Sequence, residues 1–225
     1  MKVLKYLTES FQYLIYGDRI EGMFNKTIKY YTKIIKSKPY TVYPYLQRGR
    51  AYSAKGKYDK AISDFTNIIE KLPDYAQVYS YRACMFYRKR KYLEAISDLD
   101  KAIELDDEDL RYFYDRGKCF YYLGKYQEAI ADFTTVIDRK EAKVWVYYNR
   151  SKCFLKLKQY KDCEGDLLMT IKLAPKNSEY YATLGYFYYT QGYLPLTKKY
   201  WKKGLAIDPE NEEIKKYIKE YMYKI

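Results

Sequence analysis

The sequence predicts an all-α chain of tandem helical hairpins, and three observations predict it. The segments GKYDKAISDF (56–65), RKYLEAISDL (90–99) and GKYQEAIADF (124–133) are each displaced from the last by 34 residues, and a fixed period of that size marks a repeat array. Within the period, aromatic and small residues fall at intervals that share one face of a 3.6-residue helix. Glycine and proline stand between the helical stretches rather than inside them.

Running the interval both ways gives six repeats, 8–41, 42–75, 76–109, 110–143, 144–177 and 178–211. In the first helix of each, position 4 is Phe11, Tyr45, Tyr79, Phe113, Tyr147 or Tyr181. Position 11 is Tyr52, Phe86, Phe120, Phe154 or Tyr188, with Asp18 in the first repeat. Position 8 between them is small (Gly49, Ala83, Gly117, Ser151, Gly185), as a close helix crossing requires. In the second helix, position 20 carries Ala61, Ala95, Ala129 and Cys163, and position 24 carries Tyr31, Phe65, Leu99, Phe133, Leu167 and Trp201. Gly22, Gly56, Gly124 and Gly192 at position 15 mark the turn between the two helices, where positive φ is expected. Pro39, Pro73, Pro175 and Pro209 at position 32 separate repeats, and Pro44 and Pro195 fall in first turns. The tail 212–225 puts Ile214, Tyr217, Ile218, Tyr221, Met222 and Ile225 on one helical face. It is expected to cap the open end of the array.

Composition narrows the function. There is no histidine, which excludes Ser/His/Asp and Cys/His nucleophiles and the common zinc sites with His ligands. The formal charge of +13 suits an anionic partner. The excess of Lys over Arg together with 33 tyrosines is also what an A+T-rich coding sequence produces. Cys84, Cys119, Cys153 and Cys163 lack C-x-x-C spacing, and the N-terminus has no apolar run long enough for a signal peptide. A cytoplasmic protein with reduced thiols, no membrane span, no metal and no cofactor is expected.

Charges recur in register. Arg48, Arg82, Arg116 and Arg150 occupy position 7, and Asp64, Asp98, Asp132 and Asp166 occupy position 23. Repeats one and six lose both together (Leu14 with Tyr30, Leu184 with Tyr200). A structural ladder of Arg–Asp pairs between the two helices follows, because a largely buried guanidinium needs a carboxylate to offset its desolvation. GRAYSAKGK (49–57) has six residues between its glycines and Tyr58 where a phosphate loop needs Ser or Thr, so no nucleotide chemistry is assigned to it. Asp106 to Asp109 reads as a solvated link, without the glycine or spacing of a calcium loop.

Period, aromatic–small–aromatic spacing, alanine and proline together resemble the tetratricopeptide repeat across all six units. The first is the poorest copy, with Ile15, Asp18 and Thr27 at motif positions. The resemblance implies a right-handed α-solenoid that binds proteins in a concave groove lined by positions 2, 5, 6, 9, 12 and 13 of the first helices. Those positions here include Tyr43, Gln47, Arg50, Tyr81, Arg88, Arg111, Tyr114, Lys118, Tyr121, Trp145, Tyr148, Asn149, Lys152 and Lys156. Such rings and cations suit an acidic or aromatic-bearing peptide, with Arg111, Lys118, Trp145, Asn149 and Lys152 as central contacts. The carboxylate clamp of chaperone-binding members is not expected. Of its positions only Asn149 matches, while Gln12, Tyr16, Gln47, Gln77 and Tyr81 stand at the others. The sequence thus points to a non-enzymatic protein-interaction scaffold. Its second reading is an RNA-binding array using the same basic, aromatic groove, against which stand the Lys-over-Arg bias and the 34-residue period.

Overall fold

The computed structural model describes residues 21–139 and 143–222, and their regular structure is helical throughout. Residues 21–37 form α1. The following helices are α2 (Val42–Ala54), α3 (Tyr58–Lys71), α4 (Ala76–Arg88), α5 (Tyr92–Leu105), α6 (Leu110–Tyr122) and α7 (Tyr126–Asp138). Then come α8 (Val144–Lys156), α9 (Tyr160–Leu173), α10 (Ser178–Thr190), α11 (Leu194–Ile207) and α12 (Glu212–Tyr217), which ends in one π turn, Ile218–Met222. Every first helix from α2 to α10 begins at position 1 of its repeat, and every second helix from α3 to α11 at position 17. The expected first helix of repeat one lies outside the described residues, with Phe11, Gln12, Leu14, Ile15, Tyr16 and Asp18; so does Ile225.

The turn inside each hairpin repeats one geometry. The residue at position 15 is left-handed and its N–H donates to the carbonyl of position 12, while the N–H of position 16 donates to position 11 (Lys57 to Tyr52, Lys91 to Phe86, Lys125 to Phe120, Gln159 to Phe154, Tyr193 to Tyr188, each 2.9 Å). This is the paired closure that satisfies the last carbonyls of a helix. Gly56, Gly124 and Gly192 hold it with φ of 68°, 76° and 80°. Two corrections follow. Arg90 and Lys158 adopt the same conformation, both with φ 59°, so the hydrogen-bond pair imposes the turn even on residues with a Cβ. Gly22 is not a turn residue but lies inside α1, and its neighbourhood there would accept a Cβ freely.

The chain forms two compact blocks, residues 1–119 and 120–225. In the first, Phe65, Ile68, Ala61 and Tyr45 pack with Val78 and Met85 of the next repeat. Ala95, Leu99 and Ala102 pack with Ala83 on one side and Tyr112 and Cys119 on the other. In the second, Leu167 and Cys163 pack with Leu184, Phe187 and Tyr188. Positions 8 and 24 are matched in size at the helix crossing. A Cβ on Gly49 would stand 2.7 Å from the Phe65 ring, and one on Gly185 would overlap the Trp201 indole. Ala83 and Ser151 accompany the smaller Leu99 and Leu167. A glycine and a large ring thus fill the space that alanine or serine and leucine fill elsewhere.

The second block ends in an aromatic seal. Buried Trp201 donates from Nε1 to the Ala182 carbonyl at 3.2 Å. Asn211 caps α12 by accepting from the Ile214 N–H at 2.9 Å, while its amide donates to Ser178 Oγ at 2.9 Å. Ile214 is fully buried against Ala182 and Trp201. Tyr217 stacks on Tyr186 at 4.8 Å and on Trp201 at 5.6 Å. The tail is therefore a short helix and a π turn rather than one regular helix. The wider turn keeps Tyr221 beside Tyr189 at 4.7 Å.

Candidate functional site

Two sets of cations lie two positions apart on the first helices, and their surroundings differ. At position 7, Arg48 donates from Nε and Nη2 to the two Asp64 oxygens at 2.9 and 2.6 Å, and from Nη1 to Thr32 Oγ1 at 3.1 Å. Arg82 does the same with Asp98 (2.8 and 2.7 Å) and Thr66 (3.0 Å), and Arg150 with Asp166 (both 2.8 Å) and Thr134 (2.9 Å). Arg116 donates from Nη1 to Asp100 at 2.7 Å, a carboxylate at position 25 where repeats one, two and four have threonine, and Asp132 is buried. Arg48, Arg82 and Arg150 each tie three helices, their own, the second helix of their repeat and the second helix of the repeat before.

The hydrogen bonds to Asp64 and Asp98 raise the Arg48 and Arg82 guanidinium pKa values above their ordinary value. For Arg150 burial works against the charge, but Asp166 outweighs it. Burial pushes the Asp64 and Asp98 carboxyls up, and their arginines pull them back only in part. Such a pair is costly to bury and more costly to break. Arg48, Arg82 and Arg150 thus each direct a donor from all three guanidinium nitrogens into the fold. The sequence showed the pair; the third contact was signalled by Thr32, Thr66 and Thr134 recurring at position 25.

At position 9 the cations meet rings. In the first block Lys118 Nζ lies 4.8 Å from the Tyr87 centroid and 5.1 Å from that of Tyr114, and donates to Asp115 at 2.9 Å. Burial alone would lower the Lys118 pKa; Asp115 outweighs it and the net shift is upward. Arg50 lies 5.4 Å from the Tyr81 ring. Exposed Tyr43 meets Tyr31 edge-on at 6.0 Å, and Arg88 is exposed. Arg111 is exposed too but is held by a bidentate hydrogen bond to Asp109, which raises its pKa and lowers that of the carboxyl.

In the second block Lys152 repeats the register. Its Nζ is 5.0 Å from the Tyr121 centroid and 5.5 Å from that of Tyr148. In both blocks, then, a position-9 lysine sits between the position-12 ring of the preceding repeat and the position-5 ring of its own, a cation–π arrangement. Tyr148 also packs on Tyr180 at 5.2 Å. Trp145 is 43% exposed with Lys143 Nζ 5.1 Å from its ring; Asn149 is half-buried and Lys156 exposed. Sequence reasoning missed Tyr87 and the neutralising Asp109 and Asp115. Tyr87 was visible as the counterpart of Tyr121, whereas the neutralisation depends on side-chain direction that spacing does not specify.

Burial pushes the Cys153 and Cys163 thiols up to about 12, the behaviour of packing residues. Among the described residues no three acidic, cysteine or histidine side chains gather as a metal site, and no helix is long and apolar enough to cross a membrane.

Residues 54–136 match the family model described as anaphase-promoting complex, cyclosome, subunit 3. No curated protein matches the sequence. Among solved structures, the C-terminal part of a TPR repeat-containing protein from Cytophaga hutchinsonii is similar, with TM-score 0.77, 20% identity and coverage of 93% of this chain and 87% of that one. YrrB, described as a TPR protein with an unusual peptide-binding site, gives TM-score 0.70 at 16% identity and covers 84% and 97%. A chain of the Cut9–Hcn1 hetero-tetramer of the anaphase-promoting complex gives TM-score 0.67 at 17% identity, over 87% of this chain and 39% of that one. The 34-residue register, the hairpin geometry and these likenesses show that the chain has the helical-hairpin repeat fold seen in tetratricopeptide-repeat proteins.

Proposed function

We propose that the chain is a protein-interaction scaffold that binds an extended partner segment on the first-helix faces carrying positions 2, 5, 9 and 12. The observation that carries this is the lysine held between two tyrosines in both blocks, Lys118 between Tyr87 and Tyr114 and Lys152 between Tyr121 and Tyr148. The rings hold each ammonium in place without using its N–H donors; Lys118 gives one to Asp115 and Lys152 none among the described residues, so a partner carboxylate or carbonyl meets a cation already positioned. Trp145, on the same helix as Lys152, and Tyr43 on α2 are exposed rings of the kind that anchor interfaces. The peptide-binding site in the description of YrrB and the assembly named for Cut9–Hcn1 are in keeping with this reading. The partner's chemistry is acidic with aromatic or apolar residues between its charges.

An array of arbitrary 12-residue peptides, half of them acidic, tests the reading with the intact chain. The wild type should retain acidic, aromatic-bearing peptides. Arg111→Glu, Lys118→Glu and Lys152→Glu combined should lose them while keeping full helicity by circular dichroism. Equal retention by that variant would place the binding face elsewhere.

A further inference from the structure

The second helices carry charge unevenly. α7 has Glu128, Asp132 and Asp138 and no lysine, α5 has four carboxylates against Lys101, and α3 and α9 each have three carboxylates against two lysines. α11 reverses this, with four lysines and no carboxylate. Its buried side is Thr197, Trp201 and Gly204, and Lys198, Lys199, Lys202 and Lys203 cover the opposite arc, all exposed. None of the four forms an ion pair among the described residues, whereas Lys118 and Arg111 on the first helices do. Lys198 with Lys202 and Lys199 with Lys203 are i,i+4 like-charge pairs, each mildly destabilising to the helix. Fixed repulsion of this kind is relieved when an anion docks. The same pattern recurs on α1, where Lys26, Lys29, Lys33 and Lys36 are exposed.

We propose that the exposed arc of α11 is a docking surface for the phosphate backbone of nucleic acid, distinct from the peptide-binding faces of the first helices. Charge complementarity carries the proposal, and the make-up of the arc selects the occupant. Between the lysine rows lie only Pro195 and Ala206; the ring at their edge, Tyr200, lies 5.6 Å from Lys199 Nζ and 5.9 Å from Lys203 Nζ but is half-buried and already stacked on Tyr188. A peptide interface would need a buried apolar or aromatic anchor there, and an amphipathic membrane contact would need large apolar side chains on the same face. Four exposed lysines with no carboxylate among them suit sequence-independent contact with regularly spaced phosphates.

Fluorescence anisotropy with a labelled 20-base-pair DNA duplex of arbitrary sequence, between 50 and 200 mM NaCl, tests this on the full chain. Four phosphate contacts predict a log–log salt slope of roughly −3.6, so that affinity falls about 10²-fold across that range. K198Q/K199Q/K202Q/K203Q should remove most of that slope with helicity kept, the four Lys→Arg changes should retain it, and Lys152→Gln should leave it unchanged. Absence of duplex binding would overturn the proposal. So would a glutamine variant that binds like the wild type, or these lysines capturing phosphatidylserine vesicles but not the duplex. A peptide array lost through the first helices while duplex binding persists would separate failure of this surface from failure of the scaffold reading.

Discussion

Arg82 and Lys152 are cations of the same kind of helix, two positions apart in register, yet one is locked by a carboxylate and the other is held by rings. Arg82 lies at a three-helix junction, where desolvation makes an unpaired charge untenable, and Asp98 and Thr66 accept from its Nε, Nη2 and Nη1. Lys152 is half-buried, where the faces of Tyr121 and Tyr148 suffice, and its ammonium forms no ion pair among the described residues. Position 7 is thus engaged within the fold, and position 9 is where the proposed recognition acts.

The largest way to break the comparison is Asp98→Ala, which strands the Arg82 guanidinium and should cost about 3–5 kcal/mol in chemical denaturation. Arg82→Met with Asp98→Leu should recover most of it, since removing both charges abolishes the desolvation they share. Gly185→Ala should come next, at about 1–3 kcal/mol, with a changed tryptophan emission as the Trp201 indole is forced aside. Lys152→Gln should cost no more than about 1 kcal/mol. Two changes sharpen the picture at the turns. Arg90→Gly and Lys158→Gly should each stabilise the protein by about 0.5–1 kcal/mol, because relief of the left-handed Cβ clash exceeds the added chain entropy. The smallest effect is chemical: a thiol reagent at pH 8 should modify exposed Cys84 in the native protein and reach Cys119, Cys153 and Cys163 only after unfolding.

Much of the fold was legible because a repeat states each constraint several times. Position 8 reads as small in five copies, and its partner at position 24 grows to Phe65 or Trp201 where position 8 is glycine. The turn was read through its glycines, which misplaced Gly22 and hid Arg90 and Lys158. The hydrogen-bond pair, not the residue, defines that turn, and a residue with a Cβ bears the strain when the pair demands it. The Arg–Asp pairing could be inferred from charges that come and go together. The state of the binding face could not, since whether Arg111 meets a partner or Asp109 depends on rotamers that periodicity leaves open.

Positions 7 and 9 divide packing from the proposed recognition, and the most direct test measures two quantities on two variants. The thermal midpoint and the retention of acidic peptides should be recorded side by side for Asp98→Ala and Lys152→Gln. Asp98→Ala should lower the midpoint by roughly 10 °C and, below it, retain peptides like the wild type; Lys152→Gln should melt within about 2 °C of the wild type and lose them. Peptide retention by Lys152→Gln, or a midpoint lowered equally in both, would contradict the division.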